Sequence, residues 1–155
     1  MSAPYRLLVT GMSGTGKSTV VGEFRARGIN AIDMDDAGWS HHDRAGHQQW
    51  NADRLADALD AAGPAPLVIA GCAETQVLFY PRFTHVVLLT VPPAVMRARL
   101  GTRAGNDFGK RPGEQDRILA DQAAHEPGLR LRASLVLDTN QPLASVMTRI
   151  LAHVG

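Results

Sequence analysis

Eight consecutive residues, Gly11-Met12-Ser13-Gly14-Thr15-Gly16-Lys17-Ser18, follow the spacing G-x-x-x-x-G-K-[ST]. Glycines lack a Cβ, so the backbone at such a turn can wrap a phosphate and aim N–H groups at it, and a helix starting there adds partial positive charge. Lys17 would reach the β and γ phosphates and offset the charge that builds up when a phosphoryl group moves. Ser18 would supply an oxygen to Mg²⁺. The phosphate-binding site is therefore expected to comprise Gly11, Ser13, Gly14, Thr15, Gly16, Lys17, Ser18 and Thr19.

A second group follows in "IDMDD", with Asp33, Asp35 and Asp36 close together. In an extended segment, residues two apart face the same way. Asp33 and Asp35 can then point together into a cleft, Asp33 toward the metal or its waters and Asp35 toward an acceptor hydroxyl that loses its proton as it attacks phosphorus. Asp36 would join the acceptor side. Asp35-Asp36-Ala37-Gly38 also matches the D-x-x-G of a GTPase, but the chain has no N-K-x-D to read guanine.

Basic residues form the third group. Arg97, Arg99, Arg103, Lys110 and Arg111 fall in one short stretch against a single acid, Asp107. Arg99 and Arg103 are four apart and would share a helix face, and the glycines of "GNDFGKRPG" would act as hinges that let the cations close on a triphosphate. Arg97 reads as part of a solvated face.

A fourth stretch is rich in side chains without a fixed motif: Trp39, His41, His42, His47, Trp50, Asp53 and Arg54. An aromatic ring and an arginine near Asp35 could hold a ring or sugar and an anionic group, with Gly71 and Cys72 of "GCAE" closing the pocket. Trp50 also reads as a core anchor, Arg54 as a cover for its own helix, and Cys72 as a small buried residue. The three histidines lack the i, i+4 spacing or partner cysteines of a metal site.

These groups need elements to hold them. "YRLLVT" (5–10), "INAID" (29–33), "LVIAG" (67–71), "HVVLLTV" (85–91) and "LVLD" (135–138) read as strands. Between them, helical spacing appears in Val20, Val21 and Phe24, in Leu55, Leu59 and Ala62, in Val95, Met96 and Leu100, in Ile118, Leu119 and Ala123, and in Leu143, Val146, Met147, Ile150 and Leu151. Gly28 and the pair Gly63-Pro64 sit where helices would end, and Pro93 and Pro142 where they would begin. Alternation of this kind implies a single α/β domain over 1–155, with parallel strands, right-handed crossovers, helices on both faces and a ligand site at the carboxyl ends of the strands. Residues 34–50 read as a long polar stretch and 101–113 as a mobile loop.

The chain is long enough for one real core, with 45% apolar residues in 155. Sixteen basic against fifteen acidic residues give a net charge of +1, no argument for a nucleic-acid or membrane partner. One cysteine excludes a disulfide framework, and no apolar run approaches the roughly 18 residues of a membrane span. With no signal-like start, the expectation is a cytoplasmic protein, a monomer or homodimer.

The strand followed by "GMSGTGKSTVV", the D-x-D of "IDMDD" and the later arginines resemble the small P-loop kinases of the nucleoside monophosphate kinase and shikimate kinase group, over nearly the whole chain. The resemblance implies a three-layer P-loop NTPase fold with sheet order 2-3-1-4-5, ATP with Mg²⁺, a lid at about 101–113, and an acceptor region at about 34–54 completed after the third strand. It further implies that Arg99 and Arg103 form the R-x-x-x-R at the lid entrance and contact nucleotide, and that Lys110 or Arg111 meets the transferring phosphoryl group. Thr139 and Asn140 of "LDTNQPL" would border the adenine. The turn after the third strand reads Gly71-Cys72-Ala73 where a shikimate kinase has a glycine triplet, so the acceptor stays open among nucleosides, nucleotides and sugar-like metabolites. The expected activity is transfer of the γ-phosphate of ATP to such an acceptor, with Lys17, Asp35, Arg103 and Arg111 as catalytic residues. The alternative is a nucleotide-dependent switch or binding protein with slow ATPase activity.

Overall fold

A computed structural model of the chain describes residues 4–12, 14–102 and 113–155. Five parallel strands form one sheet: β1 (Arg6–Thr10), β2 (Asn30–Asp33), β5 (Leu67–Ala70), β6 (His85–Thr90) and β7 (Leu135–Asp138). They lie in the order β2-β5-β1-β6-β7, which is 2-3-1-4-5 when only the strands of this sheet are counted. The three central strands, β5, β1 and β6, are apolar and buried on both faces because both faces are covered, while the edge strands β2 and β7 each carry an exposed polar residue, Asn30 and Asp138.

Alternation along β1 decides which helix each residue meets. Leu7 and Val9 turn to the face covered by Val20, Val21 and Phe24 of α1 (Lys17–Ala26) and by Val146, Met147 and Ile150 of α5 (Leu143–Val154). Leu8 turns to the opposite face, where Leu55 and Leu59 of α2 (Ala52–Ala61), Trp50 and Phe79 pack. A third, smaller cluster of Val91, Met96 and Ile118 joins α3 (Pro93–Thr102) to α4 (Glu114–Arg132). Gly28 and Gly63 lie at the expected helix ends, both at positive φ (75° and 55°).

The parallel register brings the ends of β1, β2 and β5 together. Asp33 pairs with Ala70, and Ala70 with Val9, so the turns after Thr10, Asp33 and Ala70 share one edge of the sheet.

Three features depart from the sequence reading. The polar stretch holds an antiparallel hairpin, β3 (Ser40–His42) and β4 (Gln48–Trp50). Its strands are three residues long and mostly polar, too short to show a period of two. The pairing is set at the turn, where Asp43 Oδ1 accepts the N–H of Ala45 and of His47, both at 2.9 Å. A 3-10 helix, Glu74–Arg82, follows β5 where no element was expected. Finally, α3 runs through Gly101 and Thr102, so the expected loop starts later than 101. Its centre, with Arg103, Lys110 and Arg111, lies outside the described residues. Among the described residues, no helix is long and apolar enough to cross a membrane.

Candidate active site

The turn from Gly11 to Gly16 has the backbone its glycines allow. Gly11, Gly14 and Gly16 stand at φ 149°, 84° and 104°. A Cβ on Gly11 would lie 2.5 Å from the Leu89 carbonyl oxygen and 2.8 Å from Thr15 Oγ1, so only glycine passes there without displacing backbone. Helix α1 begins at Lys17 with no side-chain cap on Gly16 and no acidic residue in its first turn. Such a helix start favours an anion. Lys17 Nζ donates to the carbonyls of Gly11 (2.6 Å) and Met12 (3.0 Å), and buried Thr15 donates its hydroxyl to Met12 (2.8 Å). Ser18 and Thr19 are exposed on the first turn of α1, and Ser13 lies outside the described residues.

Beside this turn, Ser18 Oγ donates to Asp33 Oδ2 at 2.8 Å. Asp33 is only 9% exposed, and its other oxygen accepts the backbone N–H of Asp35 at 2.9 Å. That contact corrects the extended reading of "IDMDD". Strand β2 ends at Asp33, the Asp36 N–H closes a turn on the Asp33 carbonyl (3.0 Å), and Asp33 and Asp35 are not successive members of one extended face. Asp35 is exposed and its Oδ1 accepts from Gln48 Nε2 of the hairpin at 2.7 Å. Asp36 lies 3.7 Å from Arg25 of α1, both well exposed, a pairing worth little in water.

Arg99 ties the loop to the far side of the sheet. Its guanidinium donates to the Gly14 carbonyl (3.2 Å), to Thr139 Oγ1 (3.1 Å) and to the Thr139 carbonyl (2.8 Å). Thr139 is buried, and its hydroxyl in turn donates to the Thr15 carbonyl at 2.8 Å. Arg99 and Thr139 thus brace the phosphate loop from behind. Exposed Asn140 donates its N–H to Asp138 Oδ1 (2.7 Å), and Arg97 pairs with Asp116 (2.9 Å) on the surface, as expected of a solvated face.

The other half of the site is made of side chains. The Arg54 guanidinium lies 4.0 Å from the centre of the Trp39 ring and so close to Gly38 that a Cβ there would meet Nη1 at 2.3 Å. A cation on an aromatic face gains on the order of 1 kcal/mol and is held in one plane. Arg54 therefore rests on Trp39 rather than along its own helix. Trp50 is the core anchor the sequence suggested, at 2% exposure. Gly71 is packed beneath it: a Cβ would meet Met34 Cβ at 2.9 Å and Trp50 Cζ2 at 3.1 Å. Cys72, expected to be buried, is partly exposed.

Sequence spacing does not show three glutamines that assemble this half. Gln48 holds Asp35. Gln49 accepts from Thr75 Oγ1 (2.7 Å) and donates to Asp43 Oδ2 (3.1 Å), fixing the hairpin to the 3-10 helix. Gln76 is buried, accepts the Ala73 N–H (3.0 Å) and donates to Thr10 Oγ1 (3.2 Å) and Tyr80 Oη (2.9 Å), linking the turn after β5 to the last residue before the phosphate loop. The N–H of His47, then the Gln49 amide, hold the Asp43 carboxyl below the usual carboxylate range. Among the described residues, no three His, Cys, Asp or Glu side chains gather to hold a metal.

Comparisons with known proteins agree with this architecture. The model of a family described as AAA domain matches residues 7–120. No curated protein sequence matches the chain. Among solved structures, the shikimate kinase of Bacteroides thetaiotaomicron superposes with a TM-score of 0.63 at 20% identity, over 96% of this chain and 97% of that one. The shikimate kinase of Acinetobacter baumannii, solved with shikimate, gives 0.64 at 16% identity over 97% and 94%. A gluconokinase of Sinorhizobium meliloti 1021 gives 0.64 at 22% over 99% and 93%. At these identities the likeness establishes the fold. With the glycine turn, the sheet order and the family match in place, the chain belongs to the AAA domain family and has the fold of the small P-loop kinases.

Proposed function

We propose that this protein is a kinase that transfers the γ-phosphate of ATP to a hydroxyl of a small acceptor. The observation that carries the reading is the contact between its two halves: Ser18 of the phosphate loop bonds Asp33 at 2.8 Å, and Asp33 in turn holds the backbone of Asp35. A carboxylate that can take a proton from a hydroxyl is thereby anchored beside the place a terminal phosphate would occupy. The similar structures named shikimate kinase and gluconokinase support a hydroxylated small molecule as the acceptor class.

In this reading Lys17 exchanges its loop carbonyls for β and γ phosphate oxygens and offsets the charge of transfer, helped by Arg103 and Arg111 from a lid around 101–113. Ser18 Oγ and Asp33 Oδ2 are two hard oxygens side by side, the donor set of a cation that keeps most of its waters and binds phosphate oxygens. They would hold Mg²⁺, which supplies charge neutralisation at the phosphates. Asp35 orients and deprotonates the acceptor, and Arg54, on its Trp39 platform, takes an anionic or polar group of it within the 34–54 region. Asp36, Gly71 and Cys72 complete the acceptor wall, and Thr139 and Asn140 border the base. The protein works in the cytoplasm as a monomer or homodimer, with no nucleic-acid partner.

An ADP-release assay with ATP, Mg²⁺ and a panel of sugars, sugar acids, nucleosides and monophosphates tests this directly. Acceptor-dependent ADP release with a phosphorylated product is expected. Slow ADP release indifferent to every acceptor would instead identify a nucleotide-dependent switch.

A further inference from the structure

We infer that Gln48 is a positioning residue for Asp35, which makes the β3–β4 hairpin a working part of the catalytic site. The inference rests on Asp35 serving as the acceptor base.

The Asp35 backbone is pinned by Asp33, but its side chain is exposed, and neither packing nor burial fixes its two rotatable bonds. Among the described residues, its one side-chain hydrogen bond is from Gln48 Nε2 at 2.7 Å, the short end of the range for an amide donor to a carboxylate. That bond engages Oδ1 and restrains the carboxylate, leaving Oδ2 for a hydroxyl. An uncharged donor orients the carboxylate without pairing its charge; a lysine or arginine in its place would form an ion pair and weaken the base.

A positioning group works only if it is itself held, and the hairpin is tied down at several points. Trp50, two residues on, is buried in the core, and its backbone N–H donates to Thr75 Oγ1 at 3.0 Å. The same hydroxyl donates to Gln49. Asn51 N–H donates to the Trp39 carbonyl at 2.7 Å, and Ser40 Oγ to the Met34 carbonyl, one residue before Asp35. Gln48 therefore extends from an element fixed on one side to the core and on the other to the chain that carries Asp35.

Steady-state kinetics of Gln48→Leu, alone and combined with Asp35→Asn, test the role. Losing a group that fixes a catalytic base should lower kcat by about 10- to 100-fold while KM for ATP stays within about 2-fold. Because Gln48 acts through Asp35, adding Gln48→Leu to Asp35→Asn should cause no further fall. Trp39 precedes the hairpin and Trp50 ends it, so an unchanged tryptophan emission spectrum in Gln48→Leu shows that the element still packs. An unchanged kcat, or an equal further fall in the Asp35→Asn background, overturns the inference and leaves kinase activity standing. A wild-type protein that shows no acceptor-dependent ADP release overturns the kinase reading, and the role of Gln48 with it.

Discussion

The loop from Gly11 to Ser18 and the hairpin from Ser40 to Trp50 border the same edge of the sheet, yet they are built in opposite ways. In the loop, neighbouring residues form the site. Its N–H groups lie within one turn and a helix start, and Lys17 folds back 2.6 Å from the carbonyl of Gly11, six residues away. In the hairpin half, each working side chain is set by a distant one: Gln48 holds Asp35, Thr75 holds Gln49 and Trp50, and Trp39 carries Arg54. A phosphate is the same in every nucleotide and can be read by backbone, whereas an acceptor has its own shape and calls for side chains that can vary. On the proposed kinase reading, the difference separates a part that would hold a common ligand from a part that could be respecified.

If the loop acts as a unit centred on one cation, Lys17→Ala should cost the most. The expected fall in kcat is on the order of 10³-fold, measured by ADP release, and a change under about 10-fold would mean the backbone cradle suffices. Asp35→Asn tests the other half. Turnover should drop by about 10²-fold while ATP affinity, read by titration calorimetry, stays within a few fold. A large loss of ATP affinity would show that the halves are not separable.

Two glycines sharpen the contrast in stability. Gly11→Ala puts a methyl group 2.5 Å from a backbone oxygen at φ 149°, and should lower unfolding free energy by roughly 2–3 kcal/mol in urea titration. Gly71→Ala meets Met34 Cβ at 2.9 Å and the buried Trp50 ring at 3.1 Å, so the packing there must give, but no left-handed φ adds strain, and the cost should be about 1–2 kcal/mol. Equal costs would contradict a backbone-built loop beside a side-chain-built pocket.

The smallest effect concerns neither half. At the opposite end of the sheet His153 bonds Ser134 Oγ (2.8 Å) and meets the His85 ring at 5.1 Å. Burial first, and then His85, hold the His153 imidazole below its ordinary 6.5. The unfolded chain therefore takes up this proton at higher pH than the folded one, so stability is full above about pH 7 and declines as pH falls through 6.5 toward the folded value. His153→Gln should flatten that decline slightly in thermal melts at pH 5–8 and leave ADP release at pH 8 unchanged.

How much could be read from residues alone follows the same division. The three central strands were legible because each is a compact apolar run buried on both faces, the two edge strands because a short apolar core remains in each, and Gly11 to Ser18 because backbone geometry demands glycine at set places. Gly28 and Gly63 were legible for the same reason. The hairpin was not, since Ser40–His42 and Gln48–Trp50 are too short and too polar to carry a period, and their pairing depends on Asp43 capping two N–H groups. Nor was the bend at Asp33: two aspartates two apart look like one face of a strand, and only the bonds from Ser18 and from the Asp35 N–H to Asp33 show that the strand has ended.

The sequence by itself therefore determined the phosphate loop, the α/β class and the family likeness, because these rest on local backbone needs and on hydrophobic period. Tertiary structure alone decided that Arg99 braces the loop through Thr139, that Arg54 lies on Trp39, and that Gln48 reaches Asp35. Those contacts join residues 13 to 85 positions apart. A partner for a polar side chain is set by where the crossovers bring the strand ends, and no spacing rule along the chain encodes that meeting.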